Sequence, residues 1–81
     1  MPGKTGLAML KPTEEHDVLI KNILDNRQVM FKSFRWIVQP KSIELIINLN
    51  DGARHVVELE PWELKYPAII YERVENRMGE K

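Results

Sequence analysis

Ile43-Glu44-Leu45-Ile46-Ile47-Asn48-Leu49-Asn50-Asp51-Gly52-Ala53-Arg54-His55-Val56-Val57-Glu58-Leu59 holds two alternating apolar runs on either side of a turn. Side chains of a strand alternate between two faces, so Ile43, Leu45, Ile47 and Leu49 share one of them. Val57 and Leu59 repeat the pattern beyond Asn50-Asp51-Gly52, a strong hairpin signal. A three-residue loop, a type I turn closed by glycine in the left-handed conformation, sets Leu49 opposite Ala53. Ile47 then faces His55, Leu45 faces Val57 and Ile43 faces Leu59. A two-residue Asp51-Gly52 loop would set Leu45 against Glu58 and scatter the apolar set over both faces. The pattern therefore selects the longer loop.

Working toward the N-terminus, Gln39-Pro40-Lys41-Ser42 reads as a turn, with proline fixing φ at its second position. The preceding stretch, Gln28 to Gln39, is rich in β-branched and aromatic residues and reads as a first strand. The Pro40 turn sets Val38 against Ile43, Trp36 against Leu45 and Phe34 against Ile47. Three rows result on one face: Val38–Ile43–Leu59, Trp36–Leu45–Val57 and Phe34–Ile47–His55. The opposite face carries Val29, Phe31, Arg35, Ile37, Ile46 and Val56, with Ser33, Glu44, Asn48, Arg54 and Glu58 around them. That set is too apolar for an indifferent solvent face and reads as a surface for a partner, a second copy, or the N-terminal arm.

Helical signals flank the strands. Residues 1–11 carry glycine, proline and two lysines before any periodic pattern and read as a flexible arm ahead of a single domain spanning 12–79. Thr13 is placed to cap a helix whose first turn holds Glu14, Glu15 and Asp17, the charge that its free N–H groups favour. Leu19, Ile20, Ile23 and Leu24 form its apolar stripe, and Asp25-Asn26 ends it. Pro61 starts a short turn that reaches Leu64, with Trp62 expected as a plug between sheet and helix. Pro67 opens a second helix at its first position, where the missing N–H costs nothing. Ile70, Tyr71, Val74 and Met78 are its expected buried stripe, and Gly79 its stop. The expected fold is α+β in the order α-β-β-β-α: a three-stranded antiparallel meander, order 1-2-3, with two helices packed on one face.

This element order resembles that of double-stranded RNA-binding domains. Recognition in that family depends on a lysine cluster at the start of the second helix. Here the corresponding Glu60-Pro61-Trp62-Glu63-Leu64-Lys65 sets one cation against two acids, so the resemblance is one of element order alone.

Composition narrows the function classes. Eighty-one residues without cysteine exclude a disulfide framework, thiolate metal sites and a thiol nucleophile. The longest apolar runs, Leu7 to Leu10 and Ala68 to Tyr71, are far too short to cross a membrane, and no signal-peptide core is present. A cytoplasmic location without membrane contact is the expectation. Twelve cations balance twelve anions, but residues 1–41 hold seven cations and four anions, while 42–81 hold five and eight. Gly3-Lys4-Thr5 lacks the upstream glycine and strand of a phosphate-binding loop. His16 and His55 are the only histidines and gather no further ligands, so neither a metal nor a cofactor is expected. No serine has a plausible base and no carboxylate pair lies in a definable cleft, so catalysis is not expected.

Two binding readings compete for the middle of the chain. From Asn26 to Ser42 there are four cations, no acid, and the rings of Phe31, Phe34 and Trp36. Rings that stack on bases and cations that neutralise phosphates are what a single-strand nucleic-acid platform requires. Arg27, Phe31, Lys32, Arg35 and Lys41 would carry it. The strand register, however, turns Phe34 and Trp36 inward and leaves one stacking ring. The leading expectation is thus a small non-enzymatic protein-interaction or regulatory module, binding a protein partner or forming a homodimer. Its contact would use Val29, Phe31, Arg35, Ile37, Ile46 and Val56.

Overall fold

A computed structural model describes residues 10–79. The elements are α1 (Glu14–Asn26), β1 (Phe31–Val38), β2 (Ile43–Leu49), β3 (Arg54–Leu59), a 3-10 turn (Pro61–Lys65) and α2 (Pro67–Met78). The strands form one antiparallel sheet in the order β1-β2-β3, so the α-β-β-β-α meander is as the sequence pattern requires. Both hairpin registers hold: Val38, Trp36 and Phe34 pair with Ile43, Leu45 and Ile47, which pair in turn with Leu59, Val57 and His55.

Local chemistry explains each turn. Gly52 has φ +91°, a conformation in which a side chain would be strained, and its N–H reaches the Leu49 carbonyl at 3.1 Å. Leu49 N–H donates to the Ala53 carbonyl at 2.8 Å, and Asp51 Oδ1 accepts the Ala53 N–H at 2.9 Å. At the other hairpin Gln39 N–H donates to the Ser42 carbonyl at 2.9 Å, and Ser42 Oγ donates to Gln39 Oε1 at 2.8 Å.

Both helices lie on one face of the sheet. Ile20, Ile23 and Leu24 of α1, Ile70 and Val74 of α2, and Leu64 close over Ile43, Leu45, Ile47, Val57 and Leu59. Burial of each such side chain contributes about 1.5–3 kcal/mol, and this cluster is the bulk of what holds the domain together. Leu10, the first described residue, packs against the same cluster. The arm expected over residues 1–11, and its suggested cover of the opposite face, otherwise lie outside the described residues.

Polar bonds fix the helices at three points. Trp36 Nε1–H donates to Asp17 Oδ1 at 2.7 Å, tying β1 to α1. His16 Nδ1 accepts the Thr13 N–H at 2.9 Å, so Nε2 carries the ring proton and donates to the Leu64 carbonyl, also at 2.9 Å. The ring thereby caps α1 and pins it to the 3-10 turn. Glu63, 2% exposed, accepts the Glu60 N–H and two bonds from Arg73 of α2. The hydrogen bond and charge of Glu63 raise the pKa of the Arg73 guanidinium above its usual value.

Candidate interaction surface

The face that the helices leave bare is built from three cross-strand rows. Arg35, Ile46 and Val56 form the middle row; Ile37, Glu44 and Glu58 form the row toward the Pro40 turn. Ser33, Asn48 and Arg54 form the row toward the Gly52 turn, and here the side chains bond to one another. Asn48 Nδ2–H donates to Ser33 Oγ, and Arg54 Nε–H donates to Asn48 Oδ1, each at 3.3 Å. The face therefore grades from a hydrogen-bonded polar row, through an apolar centre, to an acidic pair. Glu44 and Glu58 stand directly opposite each other, a like-charge juxtaposition that a cation from outside would relieve. Ile46 is 7% exposed yet lies outside the helix-side cluster, while Ile37 and Val56 are half-buried and Arg35 is exposed.

Two residues expected on this face stand elsewhere. Phe31 pairs with Leu49 but Ser33 pairs with Asn48, so β1 holds one extra residue, Lys32, in a β-bulge. The bulge inverts the alternation, and Phe31 packs against the helix-side core with its ring centroid 5.9 Å from that of Phe34. Val29 is carried to the same side by the end of α1. Val29 N–H bonds the Leu24 carbonyl and Gln28 N–H bonds the Asp25 carbonyl, each at 2.9 Å, with Gln28 at φ +59°. This is a Schellman ending, in which the residue after the left-handed one folds back onto the last turn of the helix. Arg35, Ile37, Ile46 and Val56 remain together on the bare face.

The five residues of the nucleic-acid reading are divided. Arg27 Nη1 sits 3.2 Å from Glu75 Oε2 of α2, and Phe31 faces the core. Lys32, Arg35 and Lys41 are exposed. Among the described residues no carboxylate pairs with any of these three.

Other exposed apolar side chains were not anticipated. Trp62, expected as a plug, is 47% exposed; its Nε1–H donates to Glu60 Oε1 at 2.7 Å, and it meets Tyr66 edge to face at 5.9 Å. Tyr71 is likewise turned out of the expected buried stripe of α2 and, with Leu19, Pro67 and Ala68, lines a shallow apolar cleft of about 390 Å³ between the helices. The one legible sign was the phenolic hydroxyl of Tyr71, which favours the solvent boundary, whereas Ile70 beside it is fully buried.

The two sheet edges also differ. Arg77 Nε–H of α2 donates to the Val56 carbonyl at 2.9 Å, so a helix side chain occupies the outer side of β3. Beta1 has no strand on its outer side among the described residues. No described helix is long and apolar enough to cross a membrane. Comparison of the chain with protein-family models, with curated proteins and with solved structures found no match in any of the three.

Proposed function

We propose that this chain is a small, non-enzymatic, cytoplasmic interaction module that engages a protein partner through the bare face of its sheet. One observation carries the reading: Ile37, Ile46 and Val56 lie together on the face that neither helix covers, with Arg35 in the same row as Ile46 and Val56. An apolar centre within a polar and charged rim is the anatomy of a protein–protein contact. Arg35 is suited to anchor it, because arginine is enriched among residues that dominate binding energy. The absence of cysteine accords with a reducing compartment. The nucleic-acid reading draws less support, since Arg27 is committed to Glu75 and Phe31 to the core.

Val56→Glu and Ile37→Glu test the assignment, with Lys65→Glu as a control on the helix side. Both bare-face variants retain the wild-type circular dichroism spectrum and lose the association, with partner or with self, that wild type shows in capture and light-scattering experiments. That association persists at high salt, whereas phosphate binding would fall steeply with it. Equal association by wild type and both variants contradicts the proposal.

A further inference from the structure

The outer edge of β1 supports a sharper statement, which rests on the reading of this chain as an interaction module. Successive residues of an antiparallel strand send their N–H and C=O groups to opposite sides. The bond from Gln39 N–H to the Ser42 carbonyl fixes the phase: Ser33, Arg35 and Ile37 bond to β2, and Phe34, Trp36 and Val38 turn outward. Among the described residues nothing bonds these outward groups. On β3 the corresponding outward residues are Arg54, Val56 and Glu58, and there Arg77 takes the Val56 carbonyl. Among the described residues the sheet thus has one guarded edge and one open edge.

Charge indicates what the open edge accepts. Lys32, Arg35 and Lys41 are exposed along β1 and its turn, while Asp17 is bonded to Trp36 Nε1 and Glu44 lies one strand inward, opposite Ile37. A second copy of β1 would bring the same cations together, a familiar defence against self-pairing. An acidic strand meets no such barrier. On the helix side, Val38 is 41% exposed and Phe34 and Trp36 are half-buried, leaving apolar surface for a neighbouring strand to cover.

We infer that β1 adds an extended segment of a partner protein as a fourth strand, one that alternates acidic with apolar side chains. Its acids stand beside Arg35 on the bare face; its apolar residues cover Phe34, Trp36 and Val38. Such a strand widens the bare face at Arg35, so the edge and the face form one continuous contact.

The probe is a synthetic peptide alternating valine with glutamate, compared with its valine–lysine counterpart, followed by amide hydrogen exchange in the full chain. The glutamate peptide slows exchange at Phe34, Trp36 and Val38 by about tenfold, consistent with newly formed hydrogen bonds. The lysine peptide does not. Val38→Pro removes an outward N–H without breaking the β1–β2 ladder, and weakens the peptide by about fivefold. Arg35→Glu reverses the preference between the two peptides. Equal protection by both peptides, protection confined to other amides, or no protection overturns the inference. So does concentration-dependent protection of these three amides in the free protein, which would assign the edge to a second copy. Lys65→Glu, on the helix side and away from both surfaces, leaves peptide binding intact. Edge protection is read with the peptide and the face contact by capture with the bare-face variants, so failure of the one is distinguishable from failure of the other.

Discussion

The two faces of the sheet are made from the same three strands and behave oppositely. On the helix side Ile43, Leu45, Ile47, Val57 and Leu59 are sealed beneath five helical residues and Leu64. On the bare side only Ile46 is closed from solvent, and its row continues into half-buried Val56 and exposed Arg35. Burial on the first face is spent on folding. The partial burial on the second leaves apolar area whose removal from water is still available to an association. Stability and binding can therefore be altered separately in this domain.

Alanine substitutions on the two faces give the largest expected difference. Leu45→Ala, in the centre of the covered face, lowers unfolding free energy by about 3 kcal/mol in urea titrations, the usual cost of a leucine cavity. Val56→Ala, on the bare face, lowers it by no more than about 1 kcal/mol. Equal losses at the two positions would mean that the bare face is as much a core as the covered one.

A smaller effect comes from the bond between β1 and α1. Trp36→Phe keeps most of the ring but strands Asp17 Oδ1 without its 2.7 Å donor. The same titration reads a loss of about 1.5 kcal/mol, the scale for a hydrogen bond to a charged group. The smallest is a gain. Gln28 occupies the left-handed conformation that glycine adopts without strain, so Gln28→Gly raises stability by roughly 0.5–1 kcal/mol and leaves Val29 on the core side.

Those residues also mark where the fold was legible in the sequence and where it was not. Gly52 and Pro40 announce their turns because each has a backbone preference that few other residues share, and two correct turns fix both registers. The bulge at Lys32 has no such marker, since neither lysine nor serine signals an extra residue. Its trace is the spacing Phe31, Phe34, Trp36, which departs from a period of two. The helix ending at Gln28 is silent for a similar reason: tertiary packing of Val29 imposes the left-handed residue without a glycine. The candidate site was legible in its central rows, Arg35–Ile46–Val56 and Ile37–Glu44–Glu58, because both rest on the hairpin registers. It was misread at the start of β1, where one bulge and one helix ending reassign Phe31 and Val29. Which groups of β1 face its outer edge follows from hydrogen-bond phase, which the Pro40 turn determines, whereas Arg77 reaching Val56 is a contact of tertiary structure alone.

The most direct test of the central claim is association measured side by side for wild type, Val56→Glu and Lys65→Glu, each shown to be folded by circular dichroism. Val56→Glu abolishes the association that wild type and Lys65→Glu retain. Association undiminished in Val56→Glu would contradict the claim.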